Sequence, residues 1–164
     1  KYAILHSISP KILIDYFDNL DTFDDRPYIK SHYAKAPRKR QWDTWVRGAG
    51  APPIKTKYGW LLLYHAMDES DPNRYKLGAM ILDAKNPAKI LHRSKKPILE
   101  PDEFYENQGH KAGVIYSCGA VVIKNKLFVY YGGADTVTCV ATANLETFLR
   151  ALVRSQQPKL KRIR

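Results

Sequence analysis

Cysteine is scarce in this chain of 164 residues, where only Cys118 and Cys139 occur. They lack metal-ligand spacing, and each lies in an apolar run that predicts a buried free thiol and a reducing, cytoplasmic setting. No apolar run approaches the ~20 residues that would span a bilayer, and Lys1-Tyr2-Ala3-Ile4-Leu5 reads as strand, so a soluble chain with no membrane partner and no export signal is expected. P-loop, dinucleotide fingerprint, His-Glu metal motif and nucleophile elbow are all missing, so neither a metal nor a bound cofactor is expected. Acidic residues are also in deficit: 16 Asp and Glu stand against 27 Lys and Arg, a net charge of +11. The excess collects in a loop (Lys30, Lys35, Arg38, Lys39, Arg40) and at the C-terminal end (Lys159, Lys161, Arg162, Arg164). That placement reads as a solvated loop and a frayed tail. Without a helix-turn-helix pattern, zinc spacing or RNP-like strand beside them, nucleic acid is not an expected partner.

What is present is strand chemistry. Eleven Tyr, five Phe and three Trp lie among many Val, Ile and Leu, and ten Pro with nine Gly supply turns. The expected class is all-β. One strand pair recurs three times: Tyr2 to His6 with Ile12 to Tyr16, Trp60 to His65 with Tyr75 to Leu82, and Lys126 to Tyr131 with Thr136 to Ala141. Spacings of 59 residues from His6 to His65 and 66 from His65 to Tyr131 suit a four-stranded propeller blade with long loops. Ile90 to Arg93 and Val114 to Ile123 read as further strands. Only Leu145 to Ser155 has helical spacing, with Asn144 as N-cap and Leu145, Phe148, Leu149 and Leu152 on one face. The organisation expected is therefore a partial β-propeller of two to three blades over residues 1–155, closed by a short helix, and a basic tail over 156–164. An open arc leaves strand edges unpaired, so the ring is expected to be completed by a longer chain, a complementing half or a homo-oligomer. The first residue is Lys rather than Met, which fits a portion of something longer.

Four ordered motifs are more specific. They are Gly48-Ala49-Gly50-Ala51-Pro52-Pro53 running on to Tyr64-His65, then Leu77 to Asp83 with Asn86-Pro87, then Pro97 to Pro101 with Tyr105-Glu106, and last Tyr130-Tyr131-Gly132-Gly133-Ala134-Asp135. Together they resemble glycoside hydrolase family 130, the β-mannoside phosphorylases and β-mannosidases, over nearly the whole chain. The resemblance implies a five-bladed propeller that cleaves β-mannosides with inversion, by phosphate to give mannose 1-phosphate or by water. It places the general acid, an Asp, upstream of residue 1, so no catalytic residue is identified in this chain. It implies that Gly48 through His65 run on an inner strand, that His65 contacts phosphate and that Asp135 binds sugar hydroxyls, a carboxylate being able to accept two hydrogen bonds. Tyr64 and Tyr131 could offer ring surface to a sugar, although aromatics at strand ends are more often core.

The departures concern charge. Ser7 follows His6 where phosphorylases of the family commonly carry Arg, and Val46 takes the place of a Lys. Arg47, beside it, would point away unless a bulge re-aims it. A protein using water would instead need a carboxylate base, for which Asp68 and Glu106 are the candidates. A non-catalytic sugar-binding propeller fragment is the reading from outside enzymology. The expected partners are a mannose-containing oligosaccharide and inorganic phosphate.

Overall fold

A computed structural model describes residues 2–9, 11–23 and 41–163, so the basic loop expected over 24–40 lies outside the described residues. The first repeat forms a hairpin, β1 (Tyr2–Ser7) against β2 (Leu13–Phe17), followed by a 3-10 turn at Leu20–Phe23. The second forms a sheet of β3 (Trp45–Ala49), β5 (Gly59–Asp68), β6 (Asp71–Leu82) and β7 (Ile90–Arg93), with β4 (Ile54–Thr56) also paired to β5. A short helix α1 (Phe104–Asn107) leads to the third sheet of β8 (Ile115–Ile123), β9 (Lys126–Gly133), β10 (Val137–Asn144) and β11 (Lys161–Arg162). Helix α2 (Leu145–Val153) joins β10 to β11. All strand pairs within these sheets are antiparallel.

The middle sheet is buried on both faces, because alternate residues of a strand point opposite ways. Leu61 and Leu63 of β5, with Leu77, Ala79 and Ile81 of β6, pack on Ile115, Leu127 and Val129 of the third sheet and on Phe148, Leu149 and Leu152 of α2. Leu62, Tyr64, Ala66, Met80 and Leu82 face the other way, onto Ile8 and Ile12 of the first hairpin. Three sheets thus stack face to face. A bridge from Tyr75 to Val114 ties the second to the third.

The expected strands and helix recur within a few residues of their expected bounds. Asn144 caps α2 by accepting from the Thr147 N–H at 3.0 Å. Three details differ. Gly48 through His65 form three strands, β3, β4 and β5, rather than one, because Pro52 and Pro53 lack the N–H that a continuous ladder needs. Cys118 is exposed, on the outer side of a strand whose opposite side carries Ser117 into the interior. The tail expected to fray is built into the fold: Leu160 is buried in the core and Arg162 pairs with Ala141 across β10. Its charge hid its role, since Arg162 has a buried carboxylate to meet. That carboxylate is Glu106.

Candidate functional site

Adjacent residues of β5 define two separate polar environments. Tyr64 faces the first hairpin. Its hydroxyl donates to Asp43 at 2.8 Å and accepts from Arg93 Nε at 3.0 Å, and both Tyr64 and Asp43 are fully buried. Arg93 Nη2 approaches the same Asp43 oxygen at 2.6 Å, an ion-pair contact that is not aligned as a hydrogen bond. The guanidinium also lies over the Tyr64 ring, 4.7 Å from its centroid. Burial pushes the Tyr64 hydroxyl well above its ordinary range, so it stays protonated.

His65 faces the third sheet. The Ser117 N–H of β8 donates to His65 Nε2 at 2.8 Å, while the Ser117 carbonyl lies 3.2 Å from the same nitrogen. A nitrogen that accepts carries no proton, so the neutral ring holds its hydrogen on Nδ1. Nδ1 is buried and has no partner among the described residues, and the same holds for the Ser117 hydroxyl. Burial lowers the His65 pKa to about 4, so the ring is neutral at pH 7. Tyr116 stacks on it with centroids 3.9 Å apart and planes 15° apart. Gly50 closes the niche: a Cβ there would stand 2.9 Å from Ser117 Oγ and 3.3 Å from His65 Cε1, so any larger residue would crowd both.

Around this niche the turns gather at one end of the stacked sheets. Arg47 is the extra residue of a bulge in β3, between Val46, which pairs with Ala66, and Gly48, which pairs with His65. Its exposed guanidinium lies 5.9 Å from the Tyr75 ring centroid, and Lys111 Nζ lies 5.2 Å from the same centroid. Asp135 occupies the tight β9–β10 turn with Ala134, at φ of 52° and 49°, and its side chain is exposed. That turn is anchored by the Ala134 N–H donating to Val114 O at 2.8 Å. Asp68, at the tip of the β5–β6 hairpin, accepts from the Ser70 N–H at 3.0 Å. It borders an open cavity of about 490 Å³ with Trp42, Thr44 and Glu69.

Tyr131 lies away from any open surface. It is fully buried, and its hydroxyl donates to Glu106 Oε1 at 2.7 Å. Glu106 is likewise buried, and Arg162 donates to both of its oxygens at 2.8 Å. Its Oε2 also accepts from the Glu103 N–H at 3.0 Å. Burial alone would raise the Glu106 pKa, but the bonds from Arg162, Glu103 and Tyr131 outweigh it and hold the carboxyl below its usual range. With both oxygens occupied by permanent donors, Glu106 is a structural anion and is not free to activate water.

Among the described residues no hydrogen bond joins any two of His65, Arg47, Asp135, Asp68, Tyr64 and Tyr131. The structure sets Arg47, Asp135 and Asp68 at one end of the sheets, exposed or half-buried, and buries His65 in the interior along with both tyrosines. Sequence reasoning missed Ser117, Asp43, Arg93 and Arg162. A Ser inside the apolar run Val114 to Ile123 was the one visible signal, since a polar side chain on a core-facing strand needs a partner.

The family model described as beta-1,4-mannooligosaccharide phosphorylase matches residues 27–154, and the chain belongs to glycoside hydrolase family 130. It is 44% identical over 89% of its length to a 1,2-beta-oligomannan phosphorylase of Thermoanaerobacter sp., covering 47% of that protein. A solved beta-1,2-mannobiose phosphorylase of Listeria innocua, in complex with beta-1,2-mannobiose, is 40% identical with a TM-score of 0.65, over 71% of this chain and 33% of that one. A glycosyl hydrolase of Bacteroides ovatus is 27% identical with a TM-score of 0.60, over 78% of this chain and 35% of that one. The chain spans about half the length of curated relatives that it matches.

Proposed function

We propose that the protein carrying this chain cleaves β-linked mannosides by phosphorolysis, and that the three sheets are consecutive blades of a five-bladed propeller. The supporting observation is the His65 niche, where a neutral, buried ring holds an Nδ1–H with no acceptor among the described residues. A buried donor left unpaired costs ~1–3 kcal/mol, so an acceptor from outside is called for, and a phosphate oxygen suits it. Arg47, set outward on its bulge, and Lys111 add positive charge at the same end of the sheets. Asp135, exposed on its turn, is the group proposed for sugar hydroxyls, and the open cavity beside Asp68 is the place for a further sugar contact.

In the reaction a phosphate oxygen attacks the mannosyl anomeric carbon from the face opposite the scissile bond. The bond to the leaving oxygen breaks as an acid protonates it, so a β-mannoside gives α-mannose 1-phosphate and a free sugar. The acid belongs to a segment outside this chain. His65 and the cations hold the nucleophile.

The names of the relatives agree, since those at 44% and 40% identity are phosphorylases of β-1,2-linked mannosides. Of the two candidate bases for the water-using alternative, Glu106 is already held by Arg162 and Tyr131, and Asp68, half-buried at the β5–β6 tip, is the group assigned here to a sugar contact. The intact protein, given β-1,2-mannobiose with and without inorganic phosphate, is expected to release mannose 1-phosphate, seen by 31P NMR, only when phosphate is present. Free mannose formed equally without phosphate would overturn the reading.

A further inference from the structure

We propose that Ser117 is the positioning residue of His65: its backbone N–H fixes the imidazole in the tautomer that turns a neutral Nδ1–H donor toward bound phosphate. The inference deepens the phosphate reading above and rests on it. It starts from one geometrical fact, that Nε2 of His65 lies 2.8 Å from the Ser117 nitrogen and 3.2 Å from the Ser117 oxygen. Both contacts cannot be hydrogen bonds at once, because one needs a bare Nε2 and the other a protonated one. The N–H contact is shorter, and the direction of that hydrogen is set by the peptide plane. A proton on Nε2 would therefore be driven against it.

Free neutral imidazole can place its hydrogen on either nitrogen, and the partner of one nitrogen decides the state of the other. Here the partner is main chain, held by a strand that itself departs from regular pairing. Ser117 sits opposite Tyr131 in β9, and the register shifts between Ser117 and Gly119. β8 is the edge strand of its sheet, so the Ser117 N–H, on the side turned away from β9, is left free by strand alternation and reaches across to the neighbouring sheet. Gly50 and Tyr116 then hold the ring from an edge and a face, so it cannot turn to exchange its nitrogens. A donor prepared in this way stays uncharged. It discriminates an oxyanion by hydrogen bonding and leaves the charge pairing to arginine and lysine, which tolerate exposure better.

The Ser117 hydroxyl is a second buried group without a partner, and it crowds the same point beside Gly50. Ser117→Ala removes it while keeping the N–H. Ser117→Pro removes the N–H, at a position where the ladder does not use it. The two variants separate the hydroxyl from the tautomer lock.

The test is long-range 1H–15N NMR of the histidine rings in the intact protein at pH 7, with phosphate titrated in, for wild type and both variants. A hydrogen on Nδ1 and a bare Nε2 are expected for His65 in wild type and in Ser117→Ala, with ring shifts that move on phosphate addition. Ser117→Pro is expected to show Nε2–H signal and to bind phosphate at least ~10-fold more weakly, the loss of about one buried hydrogen bond. A wild-type ring protonated on Nε2, or on both nitrogens, would overturn the inference whether or not the proline variant folds. So would a folded Ser117→Pro protein with an unchanged ring. An Nδ1-protonated ring that ignores phosphate would instead overturn the phosphate reading beneath it.

Discussion

Replacing Glu106 by Gln keeps the volume and removes the charge that holds Arg162 and Tyr131. Arg162 donates to both Glu106 oxygens and is largely buried, so the variant leaves a guanidinium facing a neutral amide in the interior. Removing one partner of a buried ion pair costs ~3–5 kcal/mol, and the partial exposure of Arg162 argues for the lower end, about 3 kcal/mol. The loss should depend on pH with a definite sign. The folded-state pKa of Glu106 lies below its ordinary 4.5, so its contribution is fully present above that value and is lost as pH falls through the folded pKa. Urea unfolding of the intact protein at pH 7, 5 and 3.5 would show the gap between wild type and Glu106→Gln constant at the two higher values and narrowing at the lowest. A gap under ~1 kcal/mol at pH 7, or one that does not narrow in acid, would refute the assignment of Glu106 as a structural anion.

Other outcomes follow from the same geometry. His65 is neutral when folded, with a pKa near 4 against 6.5 unfolded, so the unfolded chain gains a proton first as pH falls. Stability should therefore drop by on the order of 3 kcal/mol between pH 6.5 and 4 relative to His65→Gln, as read from the same urea curves. Gly50→Ala would press a methyl on Ser117 Oγ and His65 Cε1, and is expected to weaken phosphate binding at least ~10-fold by calorimetry while far-ultraviolet circular dichroism stays unchanged. Leu160→Ala should cost ~2–4 kcal/mol in unfolding free energy, because that side chain is core rather than tail. Tyr64→Phe strands Asp43 and Arg93 without their shared hydroxyl and should cost ~1–3 kcal/mol by the same measurement.

The strands were legible because their signal is local. Alternation and turn residues gave β1, β2 and β5 through β10 to within four residues at either end, and the Asn144 cap with its apolar face gave α2. The bulge at Arg47 was legible only as a condition, since strand alternation showed which way that residue would otherwise point. What stayed hidden was every partnership across sheets. Tyr64 and His65 read as one motif, yet a strand sends neighbours to opposite faces, and what each meets depends on which sheet packs there. Ser117 is 52 residues from His65, and Arg162 is 56 from Glu106, so no local pattern links them. Arg162 was misread for a further reason: among Lys159, Lys161 and Arg164 its charge suggested solvent, while the buried carboxylate that neutralises it lies in another part of the chain.

The most direct test of the account is phosphate affinity at His65. Calorimetric titration of the intact protein with inorganic phosphate, for wild type, His65→Ala and Arg47→Ala, should give saturable binding that His65→Ala weakens at least ~10-fold and Arg47→Ala weakens with a reduced dependence on salt. Equal affinity in wild type and His65→Ala would contradict it.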